Sequence, residues 1–341
     1  MTFERGDEKP SPPGQARNPA LDITKGLLVA SMLIHHAMDY FAPGMALHRY
    51  VRFVTGAFPL LAGFVISNVS LRKHASVRGA AARRCLLRGF RLVVLFVVLN
   101  LLLAAVTGGA GARGMDDVYA VFVSGDPAKS AFDILLPIAY TVAVCGVLTL
   151  GAGAGAGAWG VRLSAAAALG LLAWCSAAFL EQRGGYNVRF LAIGLCGFAL
   201  GFIPRTRVDA LLRRVPLVLC AFTGLVIIAA IIRFYYPLYV AYTIVTAALL
   251  YSLGLAIARH ASLSRLVARI GMYSLFAYVA QIGFFQALAR MGFVSESWPK
   301  IVRFLTALAL VTLATWLLVE SLAWARKRLR TIDWTYRTLF G

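Results

Sequence analysis

The sequence predicts an all-α, polytopic integral membrane protein with about ten transmembrane helices and both termini in the cytoplasm. Its 341 residues are 60% hydrophobic and only 14% charged, far from the roughly 45–50% apolar and about 25% charged residues of soluble proteins. The apolar residues form long runs, and the basic residues concentrate in alternate connecting segments. This composition excludes a soluble globular enzyme, and it also excludes a disordered chain, which would be poor in apolar residues.

Ten apolar runs have about the length that a membrane-spanning helix needs, roughly 20 residues. They are residues 22–42, 51–70, 88–107, 132–150, 160–180, 188–204, 215–233, 236–258, 270–292 and 301–324. The segments between them are too short for a soluble domain, so we predict one membrane domain over residues 21–325. Residues 1–20 mix charged residues with prolines and are predicted to be a short disordered cytoplasmic tail, and residues 326–341 a basic cytoplasmic tail.

The basic residues set the predicted orientation. The chain carries 34 Lys and Arg against 14 Asp and Glu, a net charge of +20. With the amino terminus inside, the inner segments hold 24 of the 34 basic residues and the outer segments hold 10, a bias that fits the positive-inside rule. Because topology explains the charge, we predict no nucleic-acid partner, which this charge would indicate in a soluble chain.

The first predicted helix carries five ionisable residues, and such residues inside a membrane indicate a functional site. They are Asp22, Lys25, His35, His36 and Asp39. At about 100° and 1.5 Å per residue, Lys25 and His36 share one helical face and lie about 16 Å apart. Asp22 and Asp39 lie on nearly the same face, one turn beyond them, while His35 points away. We therefore predict that the Asp39 carboxylate orients the His36 imidazole and raises its basicity.

Packing offers an alternative explanation for each of these histidines, in which the imidazole is bonded to a neighbouring carbonyl. A metal site is not predicted, because adjacent histidines diverge on a helix. The other three histidines, His48, His74 and His260, fall in predicted loops on different sides of the membrane.

Four arginines open the third predicted helix: Arg83, Arg84, Arg88 and Arg91. Arg84, Arg88 and Arg91 recur at helical spacing. They serve as a topology signal, or they form a phosphate-binding face, because guanidinium groups match phosphate geometry. Lipid headgroups would satisfy such a face as well as a nucleotide would.

Three stretches resemble motifs of the membrane-bound acyltransferase-3 family. LDITKG at 21–26, with ten residues between Lys25 and His36, resembles the opening helix of that family. FPLLAGFVIS at 58–67 is similar to its second helix, and IGMYSLFAYVAQ at 270–281 to a helix near its carboxyl end. Lys25 replaces the commoner arginine, and Gln281 stands where the family has a late histidine.

The resemblance implies a bacterial cytoplasmic-membrane enzyme that transfers an acyl group, usually acetyl, from cytoplasmic acyl-CoA. The acceptor would be a hydroxyl of an envelope glycan or a lipid-linked sugar. His36 and Asp39 would be catalytic, and Lys25, Arg84, Arg88 and Arg91 would bind acyl-CoA. Supporting roles would fall to Asp22, His35, Ser274, Tyr278 and Gln281. Acyl-CoA would be a co-substrate, with no bound cofactor, and membrane lipid a further partner. A covalent acyl-histidine is the competing mechanism.

Other polar residues in the apolar runs have two interpretations each. Asn68 and Asn100 either join helices by hydrogen bonds or contact a substrate. Tyr236, Tyr239 and Tyr242 either anchor the helix at the membrane interface or stack against a sugar.

Two other functions remain open at this stage. One is a transporter or flippase for a lipid-linked saccharide or a small polar solute, in which the polar face of the first helix lines the path. The other is a non-catalytic scaffold. Ionisable groups concentrated on one helix favour a reaction centre.

Overall fold

The computed structural model describes residues 18–71, 78–107, 115–126, 130–151, 165–175, 185–232, 236–292, 294–295 and 297–340. Every regular element in these residues is helical. Residues 1–17 of the predicted disordered tail lie outside the described residues.

The helices follow the predicted apolar runs closely, and each run overlaps one of them. They are α1 Pro19–Phe41, α2 His48–Val51, α3 Phe53–Val65, α4 Arg78–Thr107, α5 Met115–Val118, α6 Leu135–Gly151, α7 Ala165–Cys175, α8 Tyr186–Leu200, α9 Arg205–Leu212, α10 Val215–Ile231, α11 Tyr236–Ile257, α12 Ala261–Met272, α13 Ser274–Arg290, α14 Lys300–Arg328 and α15 Arg330–Phe340. Two π-helical turns, Ile66–Ser70 and Tyr119–Ser124, continue α3 and α5.

Four helical segments are long and apolar enough to cross a membrane: His48–Ser70, Gly79–Val106, Tyr236–Ile257 and Lys300–Arg328. The number rises to six if α8 with α9, bent by 104°, and α12 with α13, bent by 76°, each form one broken span. Helices α6, α7 and α10 are apolar but shorter. Helix α1 has 23 residues but is not among the candidate membrane spans, because its ionisable side chains lower its mean hydropathy. The described residues thus form an all-helical structure with four to six candidate membrane spans.

Helix α1 lies at the centre of the bundle, where it packs against α3, α11, α12, α13 and α14. Its amino end is capped, since the Asn18 side chain accepts a hydrogen bond of 3.1 Å from the backbone N–H of Ala20, a favourable arrangement at a helix start. Leu28 and Met32 of α1 belong to the largest apolar cluster, together with side chains of α3, α4, α6, α11 and α13. The polar residues of α1 are therefore surrounded by the other helices.

Helices α3 and α8 run parallel and approach each other closely through glycines. A Cβ atom on Gly63 would overlap the backbone of Gly194, and one on Gly197 would overlap the backbone of Leu60. Small residues allow such close contact between membrane helices. The first turns of α3 and α8 therefore lie side by side at the same end of the bundle.

The predicted basic tail is helical over its described length, residues 326–340. It comprises the last turn of α14 and all of α15. The Arg326 guanidinium donates a hydrogen bond of 2.6 Å to Asp333 and lies 4.0 Å from the centre of the Tyr336 ring. These contacts hold α15 back against the bundle, where it also meets α4.

Candidate functional site

A cavity of about 690 Å³ lies at the carboxyl end of α1. Its walls come from that end of α1, from α2 and the start of α3, from the turn before α6, from the first turn of α8, from the end of α10 and from the start of α11. The polar side chains that line it are His35, His36, Asp39, His48, Arg49, Arg52, Thr55, Asp133, Tyr186, Arg189, Tyr236 and Tyr239. A volume of this size suits a small ligand or part of a larger one.

His35 belongs to a network of side chains that satisfy one another. His48 Nε2 lies 2.8 Å from Asp39 Oδ1 and 3.1 Å from His35 Nδ1. His35 Nε2 lies 3.4 Å from Asp39 Oδ2. The rings of His35 and His48 stack, with centroids 4.8 Å apart. We call His35, Asp39 and His48 the cavity-side network.

The cavity-side network has the composition of a metal site, two imidazoles and a carboxylate, with ligand atoms within 4.8 Å of one another. The sequence predicted no metal site partly because His48 falls in a predicted loop away from the other histidines. The structure contradicts this placement of His48, because α2 brings it back beside α1. Two features of the site oppose a divalent cation. His48 Nε2 already contacts Asp39 and His35, at 2.8 and 3.1 Å, and Arg49 and Arg52 line the same cavity, where their charges would repel a cation.

His36 occupies a different environment from its neighbour. Its Nδ1 lies 4.0 Å from Asp39 Oδ2, and its ring contacts Tyr278 and Phe285 of α13, with centroids 6.5 and 6.3 Å away. Its Nε2 is buried and has no hydrogen-bond partner among the described residues. Asp39 is thus near His36 but too far away for a hydrogen bond, and it lies closer to His35 and His48 than to His36.

Two residues of α13 share this lack of partners. The Tyr278 hydroxyl and both amide atoms of Gln281 are buried without a hydrogen-bond partner within the described part of the chain. Tyr278 is 2% exposed and Gln281 is 0% exposed. Buried polar groups without partners are rare in native proteins and call for an explanation, for which a catalytic role is one candidate. We call His36, Tyr278 and Gln281 the α13-side groups.

The other predicted site residues lie away from the cavity. Lys25 pairs with Asp22 at 3.7 Å near the start of α1, about 16 Å along the helix from His36. Ser274 is the first residue of α13. The remaining predicted acyl-CoA ligands, Arg84, Arg88 and Arg91, are exposed on the first part of α4. The structure therefore brings His36 beside Asp39 and Tyr278. Tyr278, Gln281 and the predicted acyl-CoA ligands do not line the cavity.

Asp133 is a cavity residue that the sequence did not single out. The Tyr186 hydroxyl hydrogen-bonds to its carboxylate. Asn100 holds Ala131, two residues before Asp133, by two hydrogen bonds of 2.9 and 2.8 Å, and the intervening Phe132 has a φ of 58°. Non-glycine residues rarely adopt this left-handed conformation, and it is common at functional sites. The sequence feature that could have indicated Asp133 is its position as a carboxylate at the start of the apolar run 132–150.

Arg52 and Arg189 are two further cavity residues that the sequence assigned only to outer segments. Tyrosines of α11 hold the backbone at both. The Tyr239 hydroxyl donates a hydrogen bond of 2.9 Å to the carbonyl of Arg52, and the Tyr236 hydroxyl donates one of 2.6 Å to the carbonyl of Arg189. The three-residue spacing of these tyrosines was visible in the sequence, but their partners were not.

Comparison of the chain with models of known protein families, with curated proteins and with solved structures finds no match. The resemblance to the acyltransferase-3 family accordingly stays a prediction.

Proposed function

We propose that this protein is an integral membrane acyltransferase that moves an acyl group, preferably acetyl, from acyl-CoA to a hydroxyl of a cell-envelope glycan or glycolipid. One observation supports this function above the others. His36 lines a polar cavity, yet its Nε2 is buried and has no hydrogen-bond partner in the part of the chain that the structure describes. An imidazole held in this way is free to accept a proton from a bound hydroxyl.

In the proposed reaction, the acceptor hydroxyl donates its proton to neutral His36 Nε2 as its oxygen attacks the thioester carbonyl carbon. The carbon–sulfur bond then breaks, and the CoA sulfur takes the proton from the imidazolium. Asp39, 4.0 Å from Nδ1, stabilises the positive imidazolium between these steps. In the competing route, Nε2 itself attacks the carbonyl, and the acyl-histidine then passes the group to the acceptor.

Tyr278 and Gln281 supply the remaining chemistry in this proposal. A tetrahedral intermediate carries negative charge on the former carbonyl oxygen, and preorganised donors stabilise it. Among the described residues, nothing accepts a hydrogen bond from the buried Tyr278 hydroxyl or the buried Gln281 amide, and both lie on the helix that packs against His36. We assign to these two groups the hydrogen bonds that stabilise the oxyanion, which would explain why they are buried.

We further propose ten spans in a bacterial cytoplasmic membrane, with both termini inside. The segments that line the cavity are the end of α1, the starts of α3, α6, α8 and α11, and the end of α10. Each is the end of its helix that the distribution of basic residues predicts to face outward, which supports this orientation. Lys25 and the α4 arginines would then lie at the inner face, where they hold the CoA phosphates while the acyl arm extends along α1 toward His36.

The test uses the full chain in lipid nanodiscs with labelled acyl-CoA of several chain lengths. It follows free thiol release and the transfer of label to an added membrane glycolipid extract. The proposal predicts thiol release and labelled glycolipid, with acetyl-CoA as a good donor. If no acyl-CoA of any chain length binds or is consumed, the acyltransferase function is wrong and transport becomes the better hypothesis.

A further inference from the structure

The cavity beside His36 carries more positive than negative charge. Arg49, Arg52 and Arg189 line it, against the two carboxylates Asp39 and Asp133. Asp39 interacts with His48 at 2.8 Å and with the charge of Arg52, and Asp133 interacts with Tyr186. With neutral imidazoles, the charged side chains of the cavity sum to an excess of one positive charge. Such a site favours an anionic ligand over a cation.

Arg52 and Arg189 lie at the starts of two different helices, and side chains of α11 bond to the backbone of both. Arg52 precedes α3 and Arg189 lies in the first turn of α8. Tyr239 and Tyr236, three residues apart on α11, bond to their respective carbonyls. The close contact of α3 with α8 through glycines fixes the same two segments again. Groups that are positioned before the ligand arrives lose less entropy on binding it.

We propose that Arg52 and Arg189 form an anion-binding pair, and that the acceptor carries a phosphate or carboxylate close to the hydroxyl that is acylated. This inference rests on the proposed function, because it names the acceptor class of the same site. Guanidinium groups match both anions in geometry. Tyr236 and Tyr239 are positioning residues, since their hydroxyls bond to the backbone of the arginines.

The first experiment measures binding directly, without any transfer step. Hexyl β-glucuronide and hexyl β-glucoside, which differ only in one carboxylate, are titrated by calorimetry into the full chain in phosphatidylcholine nanodiscs. We expect the glucuronide to bind about tenfold more tightly, since bonds to charged groups contribute on this scale. The preference should shrink as salt is added. Equal affinity for the two probes would overturn the inference.

A third probe, farnesyl-phosphate-linked glucose, distinguishes the two sources of the anion. Tighter binding than the glucuronide supports an acceptor whose phosphate joins lipid to sugar. Weaker binding, with the glucuronide still preferred to the glucoside, supports a carboxylate on the sugar itself.

Substitutions then assign the effect to the named residues. Arg52→Gln and Arg189→Gln should each remove most of the anion preference and leave glucoside affinity within about twofold. Arg265→Gln is the matched control, because Arg265 of α12 does not line the cavity. If either cavity variant keeps the full preference, that arginine does not bind the anion.

The positioning role of the tyrosines has its own test. Tyr239→Phe and Tyr236→Phe should weaken glucuronide binding and leave glucoside binding unchanged. Tyr140→Phe is the control, since it removes a hydroxyl that also donates to a backbone carbonyl, that of Phe122, away from the arginines. Equal weakening of both probes by the Tyr236 and Tyr239 variants would contradict the positioning role.

Thioester consumption is measured on the same samples to separate the two proposals. If the protein prefers the glucuronide but consumes no acyl-CoA, the anion-binding pair is supported and the acyltransferase function is wrong. Turnover without anion preference would retain the acyltransferase and reject the anionic acceptor.

Discussion

His35 and His36 are adjacent in the sequence, but they belong to two regions with opposite polar character. On the cavity side, both ring nitrogens of His35 face a partner, His48 Nε2 at 3.1 Å and Asp39 Oδ2 at 3.4 Å. On the α13 side, His36 Nε2 has no partner within the described residues, and neither do Tyr278 and Gln281 of the neighbouring helix. The difference teaches that side chains of the cavity-side network interact with one another, whereas the α13-side groups keep their polar atoms available for the substrate in the proposed mechanism.

The two regions should respond to substitution in opposite ways. A satisfied hydrogen bond contributes to stability, and its loss leaves a buried partner without compensation. A polar group that is buried without a partner lowers stability, and an apolar group of similar shape removes that cost. Active sites commonly trade stability for function in this manner.

The largest effect is expected at His36. His36→Gln should lower acyl transfer about 100-fold or more, because a positioned general base contributes on this scale. The rate is measured as label transferred from acetyl-CoA, and the thermal unfolding midpoint in detergent verifies that the variant is folded. A rate within threefold of the unchanged protein would make His36 a packing residue.

A smaller loss of rate, with a gain in stability, is expected at Gln281. Gln281→Leu should lower transfer roughly tenfold, since one oxyanion donor is lost while Tyr278 remains. The free energy of unfolding should rise by about 1 kcal/mol, because two unsatisfied amide atoms disappear from the interior. Activity and the unfolding midpoint are measured on the same preparation.

Asn68→Leu is the matched control for Gln281→Leu. The Asn68 amide donates to the carbonyls of Gly201 and Ile203 at 2.9 and 3.0 Å, so its replacement should lower the unfolding midpoint. If both leucine variants lower the midpoint, Gln281 has a hydrogen-bond partner and the contrast between the two regions fails.

His48 should show the reverse pattern to Gln281. His48→Phe removes the 2.8 Å contact with Asp39 and the 3.1 Å contact with His35. We expect the free energy of unfolding to fall by about 1 kcal/mol, with thiol release lowered less than about threefold, since the imidazole does not reach the α13-side groups. A loss as large as that of His36→Gln would move the reaction centre into the cavity-side network.

The smallest effect is expected from metal removal. Arg49 and Arg52 line the same cavity and repel a cation, so treatment with a chelator should change thioester turnover by no more than about twofold, unlike the loss expected from a catalytic metal. Loss of turnover on chelation, with recovery on adding zinc, would show that His35, Asp39 and His48 hold a metal.

Local patterns predicted much of the fold. Each of the ten apolar runs overlaps at least one helix of the described residues, because an apolar chain in a membrane satisfies its backbone hydrogen bonds by forming a helix. Interruptions inside runs were harder to foresee. The run 188–204 ends in a bend before α9, where Pro204 precedes the new helix, and the run 270–292 contains a break at Tyr273 between α12 and α13.

The candidate site was predicted only where it lies on one helix. Helical spacing brought His36 and Asp39 to neighbouring positions, as the structure has them. It gave no information about residues that arrive from elsewhere. His48 reaches Asp39 because the chain turns back after α1. Asp133, Arg52 and Arg189 line the same cavity because helices distant in the sequence pack together. Such contacts depend on the packing of the bundle, and no local pattern encodes them.

The most direct measurement compares His36→Gln with His35→Gln in the same assay of labelled acetyl transfer. The two variants make the same chemical change at adjacent positions, one on each side of α1. The acyltransferase mechanism predicts that transfer is lost in the first variant and retained within about tenfold in the second, since only His36 serves as the base. Equal loss in both variants, or a greater loss at His35, would contradict it.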